Sequence, residues 1–485
     1  MARSSDELLA YIRQGRTMTQ AEKLRLIVSL SIPSILAQIS ATVMFFIDAA
    51  MVGHLGAHAT AAIGLVETTT WLMGGLGSAA NMGFSVQVAH LIGASDFASA
   101  RRVLRQALVC ATLWSLMLMT VAVAVHRYLP FWLGGSADIA HDASMYFVLV
   151  GICGIFFQMS GLAGSMLKCS GNMRVPSMLN ILMCVMDVVF NYLFIYILDL
   201  GVVGAALGTG VAEFVTALLM LYFLLVRSPM LSLFPARSLA RNEERGARSE
   251  NGSGTVGGLA PRSSLLVPRI DPAVVKMAFK IGAPMGLQHL LMGGAQIVST
   301  IIVAPLGTVA IAANSLAITV ESLCYMPGYG IAEAATTLVG QGIGAGQRLL
   351  TRSFAYLSVS VGIAVMTLMG VLMWVFAPEL MAIMSPVDEI VDQGAHALRI
   401  EAWAEPMFAA YIVCNGVFVG AANTLKPAIM SLGSMWGVRL TMAAVLAPRY
   451  GLAGAWTAMA IELTFRGLLF LAQLVRGRWL KQAEG

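Results

Sequence analysis

The chain has 485 residues, of which 58% are hydrophobic and only 11% are charged, and its mean hydropathy is +0.79. A soluble globular protein carries about 25% charged residues, so this composition excludes one and predicts an integral membrane protein. The net charge of +5 comes from basic residues at the ends of apolar segments. No basic patch interleaved with aromatic residues is present, which argues against nucleic acid as a partner.

Twelve apolar segments are long enough to cross a bilayer as helices, which takes about 20 residues each. The first six are 27–52, 59–92, 103–129, 139–167, 176–198 and 203–226. The second six are 276–304, 309–343, 351–376, 391–422, 427–447 and 451–475. A β-barrel would show short alternating segments instead. The fold class is therefore predicted to be an all-α membrane protein of twelve transmembrane helices.

Three polar segments complete the predicted domain organisation. Residues 1–26 are polar and charged, and the apolar segment after them is too long for a cleavable signal peptide. Residues 227–275 are rich in Arg, Ser and Gly, which predicts a flexible linker between a lobe of residues 27–226 and a lobe of residues 276–475. Residues 476–485 form a short tail.

The two halves repeat each other. At an offset of 251 positions Pro33 corresponds to Pro284, and Gly56 to Gly307. The pairs Gly93-Ala94 and Gly344-Ala345 match in the same register. Glycine and proline matches in one constant register are rare by chance in an apolar chain. Since each half has an even number of helices, we predict two lobes related by a pseudo-two-fold axis along the membrane normal.

Lysine and arginine are distributed asymmetrically between the two sides of the predicted membrane. One side carries the basic residues of the amino-terminal segment, of the linker and of several loops, whereas the other carries acids such as Glu379 and Asp388. By the positive-inside rule, both termini and the linker are predicted to be cytoplasmic. We therefore expect a multi-pass protein of the plasma (inner) membrane, surrounded by lipid and monomeric.

Acidic residues inside apolar segments are costly, so they usually have a function. Asp48 lies late in the first span, and its counterpart in the second half is Ser299. Asp187 and Asn191 lie four residues apart in the fifth span and so share a helix face. Carboxylate and amide oxygens suit Na⁺, and a carboxylate also suits a proton. Thr209 in the sixth span offers a hydroxyl, although packing is the plainer reading.

Further polar and ionisable residues lie in other spans, most of them in the second half. Gln158 in the fourth span, Glu321 in the eighth and Arg439 in the eleventh are candidates for a substrate cavity. Glu462 and Arg466 are one turn apart, which predicts an internal ion pair. The remaining ionisable residues of interest are His289, Glu333, Glu401 and Glu405. No nucleotide-binding or hydrolase motif occurs, so neither ATP-driven transport nor an enzyme is predicted, and no cofactor beyond the coupling ion is expected.

The chain resembles the multidrug and toxic compound extrusion (MATE) family over essentially its whole length. The motifs that carry the resemblance are DAAMVGHLG from Asp48, AEAATTLVGQGIGAG from Ala332, LKCSGNMRVP ending at Pro176, DVVFNYLFIY from Asp187 and GVVGAALGTG from Gly201. The resemblance implies two six-helix lobes around a central cleft, with Na⁺ or H⁺ entry driving the export of organic cations.

The resemblance also implies roles for particular residues. Asp48 matches the acid of the family's first helix, and Pro33 matches the proline at which that helix bends. Asp187 and Asn191 match an Asn/Asp pair with the residue types exchanged, and Thr209 matches a threonine of the sixth helix. Some members carry an acid in the seventh helix where this chain has Met292. This departure favours a cation site in the amino-terminal lobe.

The sequence thus predicts a secondary antiporter that exports amphipathic, cationic drugs or toxins in exchange for Na⁺ or H⁺. A cation site would be formed by Asp48, Asp187 and Asn191, with Thr209 beside it.

A major-facilitator transporter is one alternative, although the loop after the second span, GASDFASARR, lacks the acidic-basic signature of that class. A lipid-linked saccharide flippase is another, but of the cationic cavity it would need only Arg439 is a candidate. A membrane-embedded enzyme built on His396, Glu401 and Glu405 would need a tighter cluster.

Overall fold

The structure is a computed structural model that describes residues 4–234 and 270–481, and all regular structure in these ranges is helical. The first half contains α1 (Ser5–Gln14), α2 (Gln20–Gly53), α3 (Ala57–Gly93), α4 (Phe97–Val125), α5 (Leu129–Trp132), α6 (Ala137–Cys169), α7 (Arg174–Tyr192) and α8 (Gly201–Tyr222). The second half contains α9 (Pro272–Val303), α10 (Thr308–Gly344), α11 (Arg348–Met384), α12 (Asp388–Ala402), α13 (Glu405–Gly420), α14 (Leu425–Ser434), α15 (Leu440–Arg476) and α16 (Arg478–Lys481).

These helices supply the twelve predicted spans. In the described ranges, nine helical segments are long and apolar enough to cross a membrane, and α12 with α13 makes a tenth, bent by 60°. The 37-residue α3 is also long enough. The segment Leu425–Arg476 is 52 residues long and is divided at Gly451, where the backbone leaves the helical region. The all-α, twelve-span fold class is therefore confirmed.

The bend between α12 and α13 follows from a proline. Pro406 occupies the first turn of α13. Its ring would clash with the carbonyl group one turn earlier, and it has no N–H to donate, so the preceding helix ends before it. The break leaves Glu401 and Glu405 beside each other at the ends of the two helices. The sequence predicted a single continuous span here.

The repeated glycines serve the same purpose in both halves. Gly56 and Gly307 precede α3 and α10, and their φ angles are 102° and 100°. An L-residue with a side chain rarely adopts such a value. The 251-residue register therefore repeats a turn that only glycine makes without strain.

The two ends of the helix bundle differ in character. We call the end that carries α1 and the turns at residues 94–96, 170–173, 345–347 and 421–424 the basic end, and the other end the distal end. At the basic end α3 and α10 cross so closely that a Cβ on Gly93 would meet the Gln341 carbonyl group, and one on Gly344 would meet that of His90. The matched pair Gly93 and Gly344 thus lets the two lobes touch through their backbones.

The segment before the first span is not merely polar. In α1, Leu8, Leu9 and Ile12 are buried, and a capping box at Ser4 fixes its start. Leu231 is buried although it lies in the predicted linker, and Arg101 Nε donates to the Met230 carbonyl group at 3.1 Å. The middle of the predicted linker, residues 235–269, lies outside the described residues, so the linker prediction stays untested.

Candidate functional site: a buried carboxylate pair in the amino-terminal lobe

The two lobes are joined by polar contacts at the basic end. Gln341 Nε2 donates to the Cys169 carbonyl group at 2.9 Å, and the His90 ring lies 2.7 Å from the Gly420 carbonyl oxygen. Lys168 Nζ and Glu333 Oε1 form an ion pair at 2.7 Å. Near the middle of the bundle, the His289 side chain of α9 lies against Gly75 of α3. Between there and the distal end, no hydrogen bond or ion pair joins the lobes in the described parts of the chain, so the structure is closed at its basic end.

The predicted coupling residues come together in the distal half of the first lobe. Asn191 Nδ2 donates to Asp48 Oδ1 at 3.0 Å and to Asp187 Oδ2 at 3.1 Å. Thr209 lies near the Asp187 carboxyl group, and its hydroxyl donates to the Ala205 carbonyl group of its own helix at 3.2 Å. Three helices, α2, α7 and α8, therefore contribute to one cluster, as the sequence predicted from Asp48, Asp187, Asn191 and Thr209.

The members of this cluster differ in how far they are exposed. Asp48 is partly exposed, whereas Asp187 is 0% exposed and Asn191 is 2% exposed. Two acceptor oxygens, Asp187 Oδ1 and Asn191 Oδ1, have no hydrogen-bond donor. Buried acceptors without donors are costly, so these oxygens fit a bound cation or proton. An ion that arrives from outside the lobe meets Asp48 first and Asp187 second.

The chemistry of the cluster suits a monovalent cation. The two carboxyl groups accept from the same Asn191 amide nitrogen. Two carboxylates so close repel when both are ionised, so a shared proton or a bound cation relieves the repulsion. Among the residues that the structure describes, no group of three or more His, Cys, Asp or Glu side chains could hold a metal ion. The donor set of two carboxylates, one amide and one hydroxyl fits Na⁺ or H⁺.

Sequence reasoning missed a residue that shapes this cluster. A Cβ on Gly208 would overlap the Asn191 amide oxygen. Glycine at this position therefore lets α7 and α8 approach closely enough for Asn191 to bridge the two acids. The signal was present in the GVVGAALGTG motif, in which Gly208 immediately precedes Thr209.

The carboxyl-terminal lobe holds a separate cluster of charges. Arg466 Nε and Nη2 donate to Glu462 Oε1 and Oε2 at 2.8 and 2.6 Å, which confirms the predicted ion pair. Glu321 is 5% exposed and Glu401 is 0% exposed, and both interact electrostatically with Arg439. Glu321 therefore lies inside the lobe and not on an open cavity wall.

Two other predicted residues have structural environments that the sequence did not specify. Gln158 is 7% exposed, and its Nε2 donates to Asn81 Oδ1 at 2.7 Å, so it joins α3 to α6. Pro33 lies inside α2, whose helical backbone continues from Gln20 to Gly53. The cavity roles of Gln158, Glu321 and Arg439 and the hinge role of Pro33 stay predictions.

Comparison with known proteins assigns the family. The MatE family profile matches this chain twice, over residues 33–193 and over residues 284–445. The starts of the two matches, at residues 33 and 284, reproduce the 251-residue offset of the internal repeat. The double match covers more than half of the chain, and it leaves the major-facilitator and saccharide-flippase alternatives without support.

Relatives and solved structures agree with this match. A probable multidrug resistance protein NorM of Thermotoga maritima is 24% identical over 468 residues, covering 94% of this chain and 93% of the relative. A crystal structure of MATE in complex with MaL6 has a TM-score of 0.85 at 19% identity, covering 99% of this chain and 100% of that one. An outward-facing multidrug resistance MATE family transporter of the MOP superfamily has a TM-score of 0.84 at 19% identity, covering 100% of both chains. The chain belongs to the MATE family of multidrug efflux transporters, and it is a membrane transporter and not an enzyme.

Proposed function

We propose that this transporter is a secondary antiporter that exports amphipathic, cationic drugs or toxins in exchange for Na⁺ or H⁺. One observation carries the proposal: Asp48, Asn191 and Asp187 form a hydrogen-bonded cluster in which two buried acceptor oxygens have no donor. Such a cluster gains most from a cation. Because Asp48 is partly exposed, the cation can enter from the distal half of the cleft while the basic end is closed.

Alternating access then follows from differential binding. A cation at Asp48 and Asp187 shifts the equilibrium between two lobe arrangements only to the extent that it binds one of them more tightly. The partial exposure of Asp48 couples the site to the distal opening. We propose that the lobes then close at the distal end and separate at the basic end, so that the substrate site becomes accessible from the basic end. Release of the cation there allows the lobes to return to the first arrangement.

The orientation of the molecule is part of the proposal. The basic end is proposed to face the cytoplasm, with both termini and the linker on that side, in the plasma membrane and as a monomer. A protease site inserted at Gly252 tests this orientation. We expect cleavage in inside-out vesicles and none in intact cells, and cleavage of intact cells would reverse the orientation.

The coupling site is tested with Asp48→Asn and Asp187→Asn in proteoliposomes loaded with a cationic dye. Both variants keep the size of the side chain and remove the charge. We expect Asp48→Asn to fold and to lose efflux driven by Na⁺ or pH gradients, imposed separately, and Asp187→Asn to weaken it. The double variant should be little worse than the worse single one, because the two acids act as a unit.

Asp138→Asn is the matched control, because Asp138 is an exposed acid at the distal end whose side chain is 58% exposed. It should leave coupling unchanged. If Asp48→Asn showed gradient-driven efflux at the wild-type rate per folded molecule, Asp48 would not be the coupling residue and the mechanism would be rejected. Lower expression with normal coupling would assign Asp48 a structural role instead.

A further inference from the structure

A second acid of the amino-terminal lobe lies on a cavity that the coupling site does not use. Glu213 in α8 is 6% exposed and lies beside Ser160, but its Oε2 atom has no hydrogen-bond partner. It lines a cavity of about 260 Å³ between α2, α6, α7 and α8, together with Gln38, Asn180 and Cys184. This volume accommodates several water molecules, and the polar lining supplies partners for them.

The cavity begins where the coupling site ends. Cys184, on its wall, is three residues before Asp187, which is roughly 4.5 Å along the helix axis. Glu213 is one turn after Thr209, roughly 6 Å closer to the basic end. Glu213 and Asp187 are near enough for their charges to interact. Asp48, Asp187 and Glu213 therefore follow one another inside the first lobe, in the direction of the basic end.

Two residues of the cavity wall contact the other lobe. Lys168 lines the cavity and forms the 2.7 Å ion pair with Glu333 of α10. Gln38, on the opposite wall, donates to the same Glu333 oxygen at 3.5 Å. Separation of the lobes at the basic end would break both contacts. Lobe separation at the basic end therefore frees two polar side chains of the cavity wall, Lys168 and Gln38.

A buried acid near the corresponding position of the second lobe, Glu462, has a partner that Glu213 lacks. Glu462 of the second lobe lies 249 positions after Glu213, within one position of the local repeat of 250. Arg466, one turn later, binds both oxygens of Glu462. One turn after Glu213 the first lobe has Ala217, which carries no charge. Glu462 is thus neutralised by an arginine, whereas Glu213 Oε2 has no partner among the described residues.

We propose that Glu213 is a second cation-binding site, which receives H⁺ or Na⁺ from Asp187 and holds it in the cavity until the basic end opens. The inference rests on the proposed cation coupling at Asp48 and Asp187. In the proton case, the O–H bond of Asp187 breaks and an O–H bond forms on Glu213 through cavity water, so that Asp187 returns to the carboxylate. In the sodium case, the ion exchanges one carboxylate ligand for the other. The nearby charged and titratable groups on the packed helices are Asp187, Cys184 and Lys168.

The test compares Glu213→Gln and Glu213→Asp with Ser165→Ala in purified, reconstituted full-length protein. Ser165 lines the same cavity, and its hydroxyl bonds only within its own helix, to Gly161, so it is the matched control. Two readouts do not depend on turnover. Infrared absorption by protonated carboxyl groups during a pH change reports H⁺, and equilibrium binding of radioactive sodium reports Na⁺.

We expect Glu213→Gln to lose one protonated carboxyl signal, or to bind one Na⁺ fewer per protein, while Asp48 and Asp187 still titrate or bind. Gradient-driven efflux should slow by about tenfold or more, as when a positioned proton acceptor is lost, and Glu213→Asp should restore part of the rate. Ser165→Ala should match the wild type. If Glu213→Gln does not fold, Glu213→Asp must still change the carboxyl signal or the Na⁺ affinity.

Unchanged cation binding in Glu213→Gln together with wild-type efflux would overturn the inference. Asp48→Asn, measured in parallel, separates the second site from the coupling site. Loss of coupling in Asp48→Asn with normal behaviour of Glu213→Gln rejects only the second site. Normal coupling in both variants rejects the proposed function itself.

Discussion

The amino-terminal helix α1 is expected to hold the basic end closed, because it contacts both lobes there. Leu9 packs on Gly171 in the turn between α6 and α7 of the first lobe. On the second lobe, Gln347 Nε2 donates to the Ile12 carbonyl group at 3.0 Å. When the lobes separate at this end, α1 can follow only one of them. We therefore expect Leu9→Ala to shift the equilibrium away from the closed basic end.

The size of the shift follows from burial. Leu9 is 3% exposed, and truncating a buried leucine to alanine costs about 2–5 kcal/mol. Only the packing that lobe separation disrupts acts on the equilibrium, so we count half of that cost, about 1–2.5 kcal/mol. Since 1.4 kcal/mol is tenfold in an equilibrium constant, the closed population should fall by about 5- to 60-fold relative to the open one.

Spin labels at Arg102 and Leu349, two exposed positions at the basic end on different lobes, measure the equilibrium as a distance distribution in a cysteine-free background. The population at the longer distance should grow in Leu9→Ala. Leu24→Ala is the matched control, since Leu24 lies at the same end of the bundle but is 42% exposed. A Leu9→Ala distribution identical to that of the wild type would refute the reasoning, because the contacts of α1 would then not distinguish the two states.

Three other substitutions test separate features. Gly344→Ala should force α3 and α10 apart at a cost of about 1–3 kcal/mol and widen the same distance, whereas Gly433→Ala should not, because nothing lies within 4 Å of its added Cβ. Glu462→Gln should destabilise the fold by about 3–5 kcal/mol, measured by thermal unfolding in detergent, because Arg466 would be a buried charge without its partner. Pro33→Ala restores a helix hydrogen bond and should slow export at normal expression; unchanged turnover per folded molecule would show that no bend at this proline is used.

The fold was predictable because bilayer spans are long and the repeat is explicit. The predicted span 59–92 corresponds to α3, Ala57–Gly93, and the span 309–343 corresponds to α10, Thr308–Gly344. Helix ends at matched glycines fix these boundaries, and their register is visible in the sequence. The bend at Pro406 was not predicted, because a proline in an apolar segment is compatible with either a kinked span or a broken one.

The structure of the amino-terminal segment was not predicted, for a different reason. Its polar composition concealed three apolar residues, Leu8, Leu9 and Ile12, spaced to lie on one face of a helix. Ten residues are too few to form a stable helix alone, since isolated helices need about 12–15. Packing between the lobes supplies the stability, and that packing is a property of the tertiary structure.

The candidate site was predictable where the four-residue spacing of Asp187 and Asn191 placed two polar groups on one helix face. That Asn191 bridges to Asp48, from a helix 143 positions away in the chain, required the tertiary structure. The cavity at Glu213 was not predicted, because a single acid in a Gly/Ala-rich helix does not indicate which helices surround it. Only the tertiary structure shows that Glu213 lines a cavity and which residues surround it.

The two lobes share a backbone plan but differ in how they compensate charge. In the second lobe Arg466 neutralises Glu462, and Arg439 lies among the remaining acids. In the first lobe, Asp48 and Asp187 share only an amide, and Glu213 has a serine. A buried acid that has no cationic side chain must take its positive charge from solution or be neutral. Glu405 of the second lobe is also buried with neither carboxylate oxygen hydrogen-bonded. What distinguishes the first lobe is that its buried acid Asp187 lies beside the partly exposed Asp48, towards the distal end.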